Sequence, residues 1–248
     1  MLVAVLLFAA GVVGGAINAV AGGGSFIVFP SLLLVGIPPV AANVTTAVAL
    51  WPAGVASTVA YRKDLPTERR PLIVLSLASA LGGTLGALLL LRTSDETFTK
   101  ILPLLMLGAT AVFTAGPRLS QRRKAGHLPL AAGAFVQVLI ASYGGYFGGG
   151  MGILMLATFT LMGMTHLHTM NGLKTVLGVF INGAANVAFF IAHKVVLSVA
   201  LPVAVGSIVG GFGAAALARK VDPKKVRRVV LVFAWGLTAW FFVKAFAG

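Results

Sequence analysis

Eight apolar runs of nineteen or more residues follow one another along the chain, at 2–20, 38–61, 71–91, 97–115, 128–147, 165–192, 196–218 and 226–246. A helix needs about 20 apolar residues to cross a ~30 Å hydrocarbon core, so each run predicts a membrane span. Two shorter apolar stretches, 26–36 and 152–163, each follow a glycine cluster and end at a glycine. At ~1.5 Å per residue, helices of that size cover about half a bilayer. The triplet Ala19-Val20-Ala21 resembles a signal-peptide cleavage site, but the run before it lacks a positive leading region. Its glycine-rich end also recurs at Gly148–Gly150, so 2–20 is expected to be a retained helix.

The pattern repeats. "GGGSFIVFPSLLLVG" (22–36) is echoed by "GGMGILMLATFTLMG" (149–163), Asn43 by Asn171, and "LGGTLGA" (81–87) by "VGGFGAA" (209–215). The offset stays near 128 residues, which predicts two repeats, 1–116 and 128–248, joined by a basic linker at 117–127. Each repeat reads as full helix, short helix, long helix, full helix, full helix. The fold class is therefore all-α and polytopic. Five crossings per repeat place the second repeat upside down relative to the first.

Composition agrees. The chain is 58% hydrophobic and 10% charged, against about 25% charged in soluble domains. Its 31 glycines suit close helix approach in lipid. With no cysteine, disulfides, thiolate metal sites and cysteine nucleophiles are excluded. The net charge of +14 reads as a topology signal rather than as a nucleic-acid surface, because the basic residues are parcelled between apolar runs. Loops 62–70 and 116–127 hold four basic residues each and 219–228 holds six, whereas 92–100 holds two and 193–195 one. If all elements cross, the three rich loops share one face, and the positive-inside rule makes that face cytoplasmic. Both termini then lie outside. Re-entrant short helices would put 116–127 and 219–228 on opposite faces, which the charge pattern disfavours.

Interrupted helices in inverted repeats point to a transporter whose site lies between the repeats. The clusters at Gly22, Gly23, Gly24 and Ser25, and at Gly148, Gly149 and Gly150, each lead into a short helix, where free N–H groups attract anions. They serve equally as packing points or hinges. Asn43, Thr45 and Thr46 lie on the third element of repeat 1. Asn171, Lys174 and Asn182 lie on its counterpart, near one helix face. Such hydroxyl and amide groups also bind membrane helices to one another. Lys174 differs, since a charge within a membrane helix marks a functional site by default. All five acids (Asp64, Glu68, Asp95, Glu96, Asp222) fall in the loops, so Lys174 is expected to meet an anion or backbone carbonyls. The same lack argues against a carboxylate proton relay or a cation site. His166 and His168 are expected to be loop or interface residues rather than metal ligands. Ser142 and Tyr143 have no acid or histidine nearby in sequence to make an enzyme site, and no cofactor is expected.

The order and duplication of these motifs resemble the sulfite exporter TauE/SafE family of membrane permeases, over about 2–246. The residues that carry the likeness are "AINAVAGGGSFIVFPSLLLVGIPPVAANVTTAVALWPAGVASTVAYRKDL" and "YGGYFGGGMGILMLATFTLMGMTHLHTMNGLKTVLGVFINGAANVAFF". The resemblance implies a bacterial-type inner-membrane permease that exports sulfite or organosulfonates, driven by ion gradients. It places the site at the two glycine clusters, Asn43, Thr45, Thr46, Asn171 and Lys174. The expected partners are a small anionic substrate and the lipid bilayer, without nucleic acid, and the architecture leaves room for a homodimer. The expectation is an anion transporter working by alternating access. Another small organic or inorganic anion, or a passive anion channel, stands as the alternative.

Overall fold

The computed structural model describes residues 2–20, 23–66, 68–122, 128–217 and 223–246. These form ten α-helices and a single 3-10 turn: α1 Leu2–Val20, α2 Ser25–Leu34, α3 Pro39–Ala60, α4 Arg69–Leu91, α5 Asp95–Arg122, α6 Leu130–Tyr146, α7 Met151–Leu161, α8 Leu167–Ile191, α9 Leu197–Leu217 and α10 Pro223–Phe246. α1, α3, α4, α5 and α8 are long and apolar enough to cross a membrane, and the apolar stretches of α6, α9 and α10 fall just short. All-α, polytopic architecture follows.

One helix shows how the surface is built for lipid. Along α4, Ile73, Leu77, Leu81, Leu85 and Leu88 are exposed, while Ser76, Ser79, Gly82, Gly83 and Gly86 are buried. Small residues face the neighbours and large apolar ones face outward, as helix packing in lipid requires. The short helices stop in matching ways. Gly36 and Gly163 take φ of 85° and 91°, a conformation that costs glycine least. Ile37 and Met164 then donate back to the carbonyls of Leu32 and Phe159, closing each helix end.

Close contacts set the helix directions. Gly14 meets Val28, and Gly24 meets Gly14 and Asn18, so α2 folds back along α1. Gly144 meets Met151 and Gly133 meets Met162, so α7 folds back along α6. Gly11 packs on the Val203 backbone and Gly15 on that of Ser207, which makes α1 and α9 parallel. Ser207 donates to the Ala49 carbonyl (2.9 Å) and Gly211 faces Ala53, so α9 also runs parallel to α3. The ring pairs Phe29–Phe98 and Phe26–Phe113 set α5 against the direction of α2. The C-terminal ends of α3, α5 and α9 therefore share one end of the bundle. Arg62, Lys63, Arg69 and Arg70 are exposed there. Residues 123–127 and 218–222 of the other two basic loops lie outside the described residues.

The pairing has a two-fold pattern. α1 packs on α9 as α6 packs on α4, α3 on α9 as α8 on α4, and α3 and α5 each pair with their own counterparts, α8 and α10. Two hydrogen bonds join positions 128 residues apart: Thr110 Oγ1 to Thr238 Oγ1 (3.1 Å), and Trp51 Nε1 to the Val179 carbonyl (3.1 Å). Bonds between equivalent positions mark where the pseudo-two-fold axis runs.

Candidate functional site

A cavity of about 270 Å³ opens along α3 and α8, bounded by the α1–α2 and α6–α7 breaks. The stripe from α3 consists of Asn43, Ala47, Leu50, Gly54, Ser57 and Tyr61, with Thr46 and Trp51 beside it. Steps of four and three residues keep them on one helix face. α8 contributes Asn171, Lys174, Thr175, Gly178, Val179 and Asn182. Most of the two sets correspond: Asn43 with Asn171, Thr46 with Lys174, Ala47 with Thr175, Leu50 with Gly178, Trp51 with Val179, Gly54 with Asn182. The cavity thus straddles the pseudo-two-fold axis, and the pair Thr46 and Lys174 breaks its symmetry in charge.

Lys174 is the one charged residue among the described residues lining the cavity. Its Nζ donates to Asn171 Oδ1 at 3.0 Å. Gly152, in the first turn of α7, leaves room for the lysine stem, since a Cβ there would stand 3.1 Å from Lys174 Cδ. The ammonium therefore has an amide neighbour and an open cavity, with no carboxylate partner among the described residues. Gly23 and Ser25, and Gly148 and Gly150, also border the cavity. Both short-helix N-termini thus bring positive dipole ends toward it.

Two glycines of the clusters are placed elsewhere. Gly24 is buried against Gly14, and Gly149 is buried with its carbonyl accepting from the Tyr143 hydroxyl (2.7 Å). Gly22 lies outside the described residues. Thr45 is fully buried away from the cavity, where its Oγ1 accepts from the Val196 amide (3.2 Å) and ties α3 to the start of α9. Thr46 lines the cavity while its hydroxyl donates to the Ala42 carbonyl. Asn43 donates across to the Tyr146 carbonyl at 2.8 Å. Asn182 donates to the Gly178 carbonyl. His166 and His168 are exposed at the start of α8, and no metal-binding cluster occurs among the described residues.

Ser57, one of the polar residues that the sequence places on α3, also lines the cavity, whereas sequence reasoning missed Asn18, Trp51, Tyr61 and Gly152 there. Extending the face of Asn43 along α3 would have found Tyr61. The cavity also narrows in exposure along its length. Asn43, Thr46 and Phe189 are buried at one end, whereas Ser57, Tyr61, Asn171, Lys174 and Thr175 are half-buried at the other. It opens toward the end that carries Arg62 and Lys63.

A multi-pass helical bundle with a cavity on an internal two-fold, lined by one lysine and several amides and hydroxyls among apolar side chains, at the breaks of two short helices, is the build of a membrane transporter. The model of the sulfite exporter TauE/SafE family matches residues 7–241, and the chain belongs to that family. It is 28% identical over 236 residues to a probable membrane transporter protein of Haemophilus influenzae, covering 94% of this chain and 92% of that one. It is 30% identical over 187 residues to the probable membrane transporter protein ORF9 of a Sinorhizobium species (74% and 69% covered). The probable membrane transporter protein YfcA of Escherichia coli is 26% identical over 247 residues (94% and 86% covered). No solved structure matches. The chain is a membrane transporter, not an enzyme.

Proposed function

We propose that this transporter carries a small monovalent anion, sulfite in its protonated form or an organosulfonate, out of the cell by alternating access. The observation that carries the reading is Lys174, held by one amide and facing a cavity on the pseudo-two-fold axis. One ammonium balances one negative charge. A dianion would enter with a charge left uncompensated in a low-dielectric site, at a cost of several kcal/mol. Asn171, Asn182 and Ser57, with the N-termini of α2 and α7, supply polar contacts to the oxygens. Trp51, Phe113, Phe147 and Tyr61 offer apolar wall for a short organic tail.

The remaining assignments belong to the same reading. The repeats are 1–116 and 128–248, inverted with respect to each other. The end bearing the basic loops is cytoplasmic, both termini lie outside, and the membrane is the cell inner membrane. On this orientation the cavity faces the cytoplasm, as loading for export requires.

The test is counterflow of radiolabelled sulfite in proteoliposomes, with sulfonates, carboxylates and sulfate as cold competitors. Saturable exchange is expected, competed by monovalent sulfonates more than by sulfate. Lys174→Ala removes a charge-assisted contact of about 1.5–3 kcal/mol and should weaken apparent affinity by about 10- to 100-fold. Exchange that ignores every anion, from protein shown to be folded, would refute the reading. Conductance far above a carrier's turnover, without counterflow, would make the protein a channel.

A further inference from the structure

Asn43 and Asn171 occupy equivalent positions, yet they are engaged differently. Asn43 Nδ2 donates to the carbonyl of Tyr146, the last residue of α6. That bond spans the buried end of the cavity and ties α3 to the α6–α7 break. The position equivalent to Tyr146 in the first repeat is Ala19, next to the last residue of α1, and Ala19 also lines the cavity. The matching bond would run from Asn171 Nδ2 to the Ala19 carbonyl. It is not made. Asn171 instead turns its Oδ1 to Lys174, and its Nδ2 has no acceptor among the described residues. The bond is present at the closed end of the cavity and missing at the open end.

We infer that Asn43 and Asn171 are alternating latches, and that an anion on Lys174 is what sets the second one. The inference rests on the transport reading above. In the conformation seen, the Asn43–Tyr146 bond holds the outer end shut. An anion that takes the Lys174 ammonium competes with Asn171 Oδ1 for it. The freed amide can then turn its N–H to the Ala19 carbonyl and draw the C-terminal end of α1 onto α8, closing the inner end. Inverted repeats exchange their conformations in alternating access, so the Asn43 bond opens as the Asn171 bond forms. The empty carrier lacks the signal that frees Asn171, which ties the change of state to substrate.

The chain has no cysteine, so a single Ser57→Cys reports on the open end. Its rate of alkylation by a maleimide is measured in purified protein with no anion added, on variants that remain monodisperse. Asn43→Leu keeps the side-chain shape and removes the donor, and alkylation should slow at least threefold as the outer latch is lost. Asn43→Ser serves if the leucine variant does not fold. Lys174→Met frees Asn171 and should slow alkylation similarly, and adding Asn171→Leu to it should restore the original rate. Unchanged rates in Asn43→Leu and Asn43→Ser would overturn the outer latch. Slowing by Lys174→Met that persists without Asn171 would overturn the coupling. Counterflow by the unmutated protein is a separate readout, so failure of the transport reading and failure of the latch are told apart.

Discussion

Lys174 is the residue at which charge, space and symmetry meet. Its nearest polar neighbour is Asn171, and its stem passes over Gly152. A side chain at position 152 would therefore crowd the lysine's path. Gly152→Val should push the stem aside and misplace the ammonium. The expected result is an apparent KM for the transported anion raised about tenfold, equivalent to ~1.4 kcal/mol of lost binding. Flux against substrate concentration in proteoliposomes measures it, and an unchanged KM would remove Gly152 from the site. The charge at Lys174 was legible in the sequence because no other charge lies within its apolar run. Gly152 was not, because only the fold brings α7 beside α8. Thr45 shows the reverse case. Its neighbourhood to Asn43 and Thr46 suggested the site, but one residue is about 100° of helix turn, and that turns Thr45 toward the Val196 amide instead.

At the level of helices, the contacts that organise the site are made by backbones. α1 and α9 approach so closely that a Cβ on Gly210 would overlap the Val12 carbonyl, and one on Gly15 the Ser207 backbone. Overpacking of this kind costs about 1–3 kcal/mol. Gly210→Ala should therefore lower the melting temperature in detergent. Gly108→Ala should leave it unchanged or raise it, since nothing lies within 4 Å of a Cβ there and alanine favours a helix by up to about 1 kcal/mol. Equal shifts in the two variants would contradict the interface. The lengths and order of the ten helices were readable, because apolar run length and glycine breaks are local signals. Which helix packs on which was not, because α1 meets α9 across most of the chain. The "LGGTLGA" and "VGGFGAA" echoes marked the surfaces involved without naming their partners.

For the molecule as a whole, two halves of similar pattern are packed about a pseudo-two-fold that passes Trp51–Val179 and Thr110–Thr238. The axis explains why one cavity serves both halves and why their helix breaks converge on it. It also carries a topological consequence: the turn after α3 and the turn after α8 lie at opposite ends of the bundle. Cysteines at Lys63 and Lys194, both exposed, should be labelled in cells from opposite sides, Lys63→Cys only after the membrane is made permeable and Lys194→Cys without it. Labelling of both from the same side would contradict the inverted arrangement. The labelling pattern expected here rests on the charge count by loop, through alternation of rich and poor loops rather than through any one residue.

A structure with a bromine-labelled sulfonate would locate the anion. Crystals grown with bromoethanesulfonate and measured at the bromine absorption edge should show an anomalous peak in the cavity beside Lys174, absent from crystals of Lys174→Ala. A peak outside the cavity, or one that survives the loss of the lysine, would contradict an anion site at Lys174.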